Sequence, residues 1–312
     1  MNITEAKNKI QETINKTEAI LNPEKENKTI IPSISKVNNS DLKIGIVMSG
    51  GGALGFAHIG VLKALKDIGI TPTFFAGSSM GALVGVFAAA GMEPEDMKKM
   101  VFSERIYKPI TLITVPSFGK EPFGFSSHKR VQEILDKYIP YDNFESLPYY
   151  LSVCATNLNK PQAELISSGD NLKKFVLASM SIAYIFKPIK INGITYIDGD
   201  NSNHVPAQDI RKKVDILIGV DVMPIYEKKS FDSVMDINTR LYYLDANRLG
   251  KAGRELCDFM IPVHECSNYK MLDFDKFKEI YQIGYDTTLR YIIEHPDLKK
   301  KCSRREKNKF KI

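Results

Sequence analysis

Between residues 44 and 90, two short apolar runs alternate with two helical segments, and this alternation constrains the fold more than any other feature. The first run, 44–48, is typical of a buried parallel strand, and apolar residues at helical spacing predict a helix over 57–68. A second strand is predicted over 73–76 and a helix of small residues over 81–90. Because the links are short, the segment predicts a right-handed βαβ unit in a parallel sheet.

Strands and helices keep alternating toward the end of the chain, which is the signature of an α/β fold. The later elements that we predict are strands over 149–155 and 215–222, a hairpin over 189–197 that turns at Asn192-Gly193, and helices over 175–186, 239–254 and 277–293. Residues 103–127 interleave apolar side chains with Pro and Gly, so we expect an irregular apolar loop there.

The 312-residue chain has the composition of an ordinary soluble globular protein, with 43% hydrophobic and 26% charged residues. It contains no run of 18 apolar residues, and its first residues lack a basic start followed by an apolar run. We therefore expect neither a transmembrane helix nor a secretory signal. The four cysteines show no CxxC spacing, which favours reduced thiols and a cytoplasmic location.

The net charge of +6 is mild, and much of it lies in residues 299–312, a run rich in Lys and Arg. Such a run is usually a solvated tail, and the alternative is peripheral contact with anionic lipid head groups. We expect no nucleic-acid partner, because no motif of interleaved aromatic and basic residues accompanies this charge.

A glycine loop, Gly50-Gly51-Gly52-Ala53-Leu54-Gly55, follows the first predicted strand and matches the pattern G-x-G-x-x-G. A dinucleotide site would also need a carboxylate at the end of the next strand, and 76–79 has none. A nucleotide P-loop would need Gly-Lys-Ser/Thr, which this loop lacks. The remaining functional interpretation is an anion hole of backbone N–H groups, and the alternative is a tight turn without a ligand.

The second predicted strand runs into Gly77-Ser78-Ser79-Met80-Gly81, which fits the G-x-S-x-G pattern of an exposed nucleophile on a tight turn. The two flanking glycines permit a strained turn, and Ser78 lies one place outside the register. The serine motif and a glycine loop that can receive an oxyanion together predict acyl transfer, with Ser79 forming a covalent acyl-serine intermediate.

A serine nucleophile needs a base, and the sequence offers two kinds. His204 and His264 follow Asp198, so the order Ser-Asp-His is available, although neither histidine has a context that singles it out. Asp198 ends a predicted strand and precedes Gly199, a position from which a carboxylate can enter a cleft at the sheet edge. A Ser-Asp dyad is the resulting hypothesis, and a plain Asp-Gly turn is the alternative.

Taken in this order, the three motifs resemble the patatin-like phospholipase family, most of all its bacterial, cytosolic-type members. The similarity runs from about residue 43 to residue 222. It implies a three-layer α/β/α sandwich with a mostly parallel central sheet. It also implies hydrolysis of fatty-acyl esters of phospholipids or lysophospholipids without a metal or cofactor. The residues that it assigns are Ser79 as nucleophile, Asp198 as general base, Gly50, Gly51 and Gly52 as oxyanion-hole donors, and Gly55, Gly77, Gly81 and Gly199 as motif support.

Three positions depart from the family pattern. Leu54 stands where many bacterial members carry Arg or Lys, Ala183 replaces a common proline, and Asp200 replaces Gly or Ala. We expect Asp200 to point away from the cleft, since two carboxylates facing it would raise the pKa of Asp198 by repulsion. Leu54 and the basic tail also support a rival interpretation, a lipid-binding or regulatory pseudoenzyme.

The resemblance and the composition divide the chain into four parts. We expect a polar extension or linker over 1–40, a catalytic domain over 41–225, a helical part over 226–298 packed on the same domain, and the basic tail over 299–312. The apolar loop at 103–127 would then face an acyl chain or a membrane surface, and the alternative is ordinary packing over the sheet.

Overall fold

The computed structural model describes residues 42–108, 128–183 and 185–302. The predicted N-terminal extension, most of the predicted apolar loop and residues 303–312 of the basic tail lie outside these ranges. In the described ranges, every helix is too short or too polar to cross a membrane.

A central sheet of eight strands organises the described residues. Its strands are β1 (Ile44–Met48), β2 (Phe74–Ser78), β3 (Tyr150–Asn157), β4 (Gln162–Ile166), β5 (Ile189–Ile191), β6 (Ile194–Asp198), β7 (Ile216–Asp221) and β8 (Phe259–Pro262). The strand order is β5-β6-β3-β2-β1-β7-β8, with β4 also paired to β3. The strands from β3 to β8 in this order run parallel, whereas β4, β5 and β6 are antiparallel to their neighbours.

Helices cover both faces of the sheet. They are α1 (Phe56–Asp67), α2 (Met80–Ala89), α3 (Pro94–Ser103), α4 (Lys129–Tyr138), α5 (Leu172–Ser179), α6 (Gln208–Arg211), α7 (Val234–Glu255), α8 (Phe277–Glu294) and α9 (Pro296–Cys302). Along β1, Ile46 and Met48 point into the main core with α1, α2 and α8, whereas Val47 points into a second core with α6. The structure therefore confirms the predicted three-layer α/β/α sandwich with a mostly parallel sheet.

Strand β3 brings β2 and β6 end to end. Ser78, the last residue of β2, lies opposite Cys154, and Asp198, the last residue of β6, lies opposite the next residue, Ala155. Strand β4 pairs with residues 153–157 and so occupies the other edge of β3. Strands β2 and β6 therefore share one edge, and since β2 is parallel and β6 antiparallel to β3, their last residues face each other.

Most predicted elements are present, and the β5–β6 hairpin turns at Asn192-Gly193, where φ is 50° and 84°. The helix predicted over 175–186 is wrong at its end, because α5 stops at Ser179. The chain turns away there, and Ser181 O accepts the amide of Asp198 at 3.1 Å. Strands β4 and β8 and helices α3, α6 and α9 are additions to the predicted set.

The segment after residue 225 packs on the same sheet. Helix α8 lies against α1, and β8 extends the sheet beyond β7. Helix α9 holds the start of the predicted basic tail: Leu298 is buried, and Lys301 Nζ lies 5.0 Å from the centroid of the Phe259 ring. Residues 299–302 are thus helical and belong to the folded domain.

Helices α1 and α8 pack backbone against backbone at two glycines. A Cβ atom on Gly60 would lie 2.0 Å from Tyr281 O, and one on Gly284 would lie 2.1 Å from Ala57 O. Neither carbonyl can move without displacing its own helix. Because α1 begins directly after the glycine loop, this contact helps to hold the loop in place.

Replacing Gly284 by Ala should lower the free energy of unfolding by about 1–3 kcal/mol, because the added methyl group overpacks a backbone contact. Urea denaturation measures the change. Gly85→Ala is the matched control, since its methyl group would enter a buried helix where the nearest atom is a side-chain atom, Leu151 Cδ1, at 3.3 Å. We expect the control to lose at most about 1 kcal/mol, and equal losses would contradict the close packing of α1 and α8.

Candidate active site

Ser79 occupies the turn that joins β2 to α2. Its φ of 51° and ψ of −123° lie in a region that residues other than glycine rarely adopt. A Cβ atom on Gly81 would lie 2.3 Å from Met48 O, and one on Gly77 would lie 2.4 Å from Gly81 O. The two glycines of the serine motif therefore let the start of α2 pack directly on the ends of β1 and β2.

Because β2 and β6 meet end to end, Ser79 and Asp198 lie side by side. Ser79 Oγ donates a hydrogen bond to Asp198 Oδ2 at 2.7 Å. Asp198 Oδ1 accepts the amide of Asp200 at 2.9 Å, and Thr156 Oγ1 donates to the Asp198 carbonyl at 2.7 Å. Hydrogen bonds thus hold both carboxylate oxygens and the main chain of Asp198, and the carboxylate faces the serine hydroxyl directly.

The Ser-Asp pair is almost fully buried, with Ser79 3% and Asp198 1% exposed. Burial raises the pKa of the Asp198 carboxyl well above its usual range, and the nearby Asp200 carboxylate raises it further. Hydrogen bonds from Ser79 and from the Asp200 amide, and the charge of His204, lower this pKa without cancelling the rise. A raised pKa makes the ionised carboxylate a stronger base toward the serine hydroxyl.

The glycine loop lies at the end of β1. Gly51 and Gly52 have φ values of 144° and 57°, which turn the backbone sharply. Within the part of the chain that the structure describes, the amides of residues 50–52 donate no hydrogen bond, whereas the amide of Ala53 is paired. Unpaired N–H groups on adjacent residues can receive an oxyanion.

An apolar pocket contains both Gly52 and Ser79 in its lining. The other described lining residues are Met80, Val131, Met180, Ile182, Ile185, Phe186, Leu272 and Phe274. They come from α4, from the segments around α2 and after α5, and from the segment before α8. Since none of these side chains is charged, the pocket suits a hydrocarbon chain next to the serine.

The five histidines all lie in the described residues, and none of them forms a hydrogen bond with Ser79. His58 and His128 are buried, and burial lowers the pKa of each to about 4. A hydrogen bond of 2.8 Å joins His58 Nε2 to Ser49 O, and one of 3.0 Å joins His128 Nε2 to Ser181 Oγ. Both therefore support neighbouring backbone and side chains as neutral imidazoles.

The two histidines considered as alternative bases lie elsewhere. His264 is exposed in the turn after β8. Ser79 follows β2 and His264 follows β8, and strands β1 and β7 lie between these two strands. Since neighbouring strands are about 4.8 Å apart, the axes of β2 and β8 are about 14 Å apart. His204 is buried between Asp200 and Asp221, 3.3 Å from an oxygen of each. The geometry thus joins the serine to a carboxylate and not to an imidazole.

Leu54 and Asp200, two of the departures from the family pattern, both point into the protein. Leu54 is fully buried in the main hydrophobic core, so apolar packing anchors the glycine loop at this position. Asp200 is 2% exposed, and the Tyr242 hydroxyl donates to its Oδ2 at 3.1 Å. Asp200 does not line the apolar pocket, but its charge still acts on Asp198.

Sequence reasoning missed three residues that contact the site, namely Thr156, Ser179 and Tyr242. Ser179 Oγ accepts the amide of Ser79 at 2.9 Å and so supports the strained turn. No local motif marks these residues, because each contacts a partner 42 to 100 positions away in the chain.

Neither a metal cluster nor a reactive thiol accompanies the site in the described residues. No three His, Cys, Asp or Glu side chains there are arranged to hold a metal ion. All four cysteines are free, and burial raises the pKa of the Cys266 thiol to about 12 and that of Cys154 well above its ordinary value. Such thiols are not ready nucleophiles.

Residues 46–210 match the family model described as Patatin-like phospholipase, a range that includes the glycine loop, Ser79 and Asp198. Lysophospholipase NTE1 of Meyerozyma guilliermondii is 26% identical over 277 residues, which covers 79% of this chain and 19% of the relative. Human patatin-like phospholipase domain-containing protein 6 is 26% identical over 282 residues, which covers 78% and 20%. The chain spans about a fifth of the length of these relatives.

Solved structures show a more distant likeness. VipD from Legionella pneumophila aligns with a TM-score of 0.45 and 16% identity, covering 90% of this chain and 73% of VipD. Human GIVD cytosolic phospholipase A2, solved with methyl gamma-linolenyl fluorophosphonate, aligns with a TM-score of 0.36 and 10% identity, covering 83% and 60%.

Replacing Ser179 by Ala should lower the free energy of unfolding by about 1–3 kcal/mol, because it leaves the buried amide of Ser79 without an acceptor. Denaturant unfolding of the purified variant measures the loss. The matched control is Ser78→Ala, since the Ser78 hydroxyl is buried but has no hydrogen-bond partner in the described residues. If both variants were equally stable, the Ser179 hydroxyl would not hold the turn.

Proposed function

The chain belongs to the patatin-like phospholipase family, and we propose that it hydrolyses fatty-acyl esters of phospholipids or lysophospholipids through a Ser79–Asp198 dyad. The observation that carries the proposal is the hydrogen bond of 2.7 Å from Ser79 Oγ to Asp198 Oδ2 in a buried site. The adjacent unpaired amides and the apolar pocket support the same chemistry.

In the first half of the proposed reaction, Asp198 Oδ2 takes the hydroxyl proton as Ser79 Oγ attacks the ester carbonyl carbon. The carbonyl oxygen becomes an oxyanion, which the amides of Gly50, Gly51 and Gly52 would receive. When the tetrahedral intermediate collapses, the C–O bond to the alcohol breaks, and the alcohol leaves with the proton from Asp198. The acyl chain stays on Ser79 as an ester.

In the second half, Asp198 takes a proton from a water molecule, whose oxygen attacks the acyl-serine carbonyl. The oxyanion forms again in the same hole. Collapse then breaks the bond to Ser79 Oγ, which recovers its proton from Asp198 as the fatty acid leaves. Every proton moves between Asp198 and an oxygen in this scheme, so the reaction needs neither histidine nor metal.

Two observations bear on the substrate. The apolar lining of the pocket favours a fatty-acyl chain over a short polar ester. NTE1, to which this chain is similar, is a lysophospholipase, which makes lysophospholipids the first substrates to assay. A panel of phospholipids, lysophospholipids and nitrophenyl esters distinguishes the two lipid classes.

We propose a cytoplasmic protein that works at the surface of a membrane. Four free cysteines suit a reducing compartment, and the positive charge that Lys299, Lys300 and Lys301 bring to α9 suits anionic head groups. The pseudoenzyme alternative has less support, since Leu54 packs in the core and the proposed donors are backbone amides.

Replacing Ser79 by Ala should remove ester hydrolysis to the limit of the assay, a loss of at least about 1000-fold, because in the described residues no other hydroxyl or thiol forms a hydrogen bond with the Asp198 carboxylate. The assay is release of fatty acid from a lysophospholipid, with labelling by a fluorophosphonate probe as a second readout. Ser78→Ala is the matched control and should keep activity, as should His264→Gln. Unchanged turnover in the Ser79 variant would refute the proposed nucleophile.

The acidic limb of kcat/KM should lie above pH 4, the usual range of a carboxyl group, because burial raises the pKa of Asp198. Activity requires the ionised base, so it should rise as pH increases through this raised pKa and then level off. A pH profile with a nitrophenyl ester measures the limb. A limb at or below pH 4 would contradict a buried carboxylate base.

A further inference from the structure

A continuous chain of five buried or partly buried polar side chains lies beneath the dyad and the glycine loop. Tyr242 Oη donates to Asp200 Oδ2 at 3.1 Å, and Asp200 Oδ1 lies 3.3 Å from His204 Nδ1. His204 Nε2 lies 3.3 Å from Asp221 Oδ1, and Arg254 Nη1 donates to Asp221 Oδ2 at 2.9 Å. We call this set the buried charge chain, and His204 is its centre.

The buried charge chain contacts both halves of the proposed catalytic site. Asp200 is two residues from Asp198, and its amide donates to Asp198 Oδ1 at 2.9 Å. Its carboxylate packs behind the glycine loop, where a Cβ atom on Gly50 would lie 1.8 Å from Asp200 Oδ2. At the other end, the Asp221 carboxylate accepts the amide of Met223 at 2.9 Å. His204 therefore contacts a residue, Asp200, that is bonded to the base and packs behind the oxyanion loop.

The Asp200 and Asp221 carboxylates are matched by two cations only if His204 is charged. His204 lies between these two buried carboxylates and Arg254 contacts Asp221, so two negative and two positive charges alternate along the buried charge chain. Burial alone lowers the pKa of His204, but Asp200 and then Asp221 raise it to about 10. A buried carboxylate without a partner is costly, so a neutral side chain at position 204 would leave Asp200 uncompensated.

Other titratable groups close to His204 are uncharged. His58 of α1 faces the same region, and burial lowers its pKa to about 4, so it is neutral at pH 7. Cys154 of β3 has a pKa well above its ordinary value because of burial, so its thiol is neutral as well. Tyr242 of α7 keeps its proton for the same reason. His204 is therefore the nearest cation to Asp200.

We propose that His204 is a positioning residue for the hydrolytic reaction, whose imidazolium neutralises Asp200 and so keeps the Asp198 carboxylate available as base near neutral pH. This inference rests on the proposed function of Asp198. This role of His204 explains how the protein tolerates a second buried carboxylate, Asp200, two residues from the base Asp198. His204 acts through Asp200 and does not contact Ser79, so it is not a third member of the dyad.

The test is the pH profile of kcat/KM for 4-nitrophenyl butyrate with three variants. His204→Gln removes the cation and should move the acidic limb up by about one pH unit, because the unbalanced Asp200 charge disfavours ionised Asp198. Asp200→Asn removes the anion and should move the limb down by a similar amount. Asp200→Asn combined with His204→Gln removes both charges and should return the limb to within a few tenths of a unit of the wild type.

The fold-change at fixed pH gives a second readout. At a pH below the acidic limb, kcat/KM of His204→Gln should be about tenfold lower than that of the wild type. On the alkaline plateau the two values should be equal. The matched control, His264→Gln, makes the same substitution at an exposed site and should leave the limb unmoved. If His204→Gln fails to fold, the same test is made by measuring the acidic limbs of Asp200→Asn and of the double variant.

Two failures are distinguishable. If Ser79→Ala or Asp198→Asn retains activity, the proposed function is wrong. If both lose activity but the limbs of the His204 and Asp200 variants do not move, or move in the same direction, only the role of His204 is wrong. A uniform loss of rate at every pH would assign His204 a purely structural role and would likewise overturn the inference.

Discussion

The pairing of β2 and β6 on one edge of β3 is the constraint on which the rest of the site depends. Ser78 and Asp198 lie opposite consecutive residues of β3, so a parallel and an antiparallel strand end against each other. A shift of either strand by one residue would turn its terminal side chain to the other face of the sheet. The hydrogen bond between Ser79 and Asp198 is therefore a consequence of strand register, and the glycines of the serine motif allow the close approach that this register demands.

Burial sets the electrostatics of this pair in two opposing ways. A dry site strengthens the interaction between a carboxylate and a hydroxyl, but it also disfavours every ionised group within it. Three carboxyl groups, Asp198, Asp200 and Asp221, share this low-dielectric region. The fold places His204 between Asp200 and Asp221, and Arg254 beside Asp221, so that the charges of these four groups alternate along one line. The same line supports the glycine loop from behind.

Features with a local cause were predictable from the sequence. The first strand is a short apolar run, and the hairpin turn is an Asn-Gly pair that accepts positive φ, so neither depends on distant residues. The helix predicted over 175–186 ends early for a non-local reason: Ser181 O accepts the amide of Asp198, and the backbone leaves the helix to do so. Edge strand β4 is partly exposed and lacks a long apolar run, so its pattern is weak.

The sequence by itself determined the α/β class, the order of the three motifs and the candidate residues Ser79 and Asp198, because those depend on short patterns along the chain. Only the tertiary structure decided which candidate base meets the serine, since a carboxylate 119 positions away contacts it and no histidine does. It likewise decided that Asp200 pairs with His204 inside the protein. Such contacts depend on how strands pair and how helices cover the sheet, and no local pattern encodes that pairing.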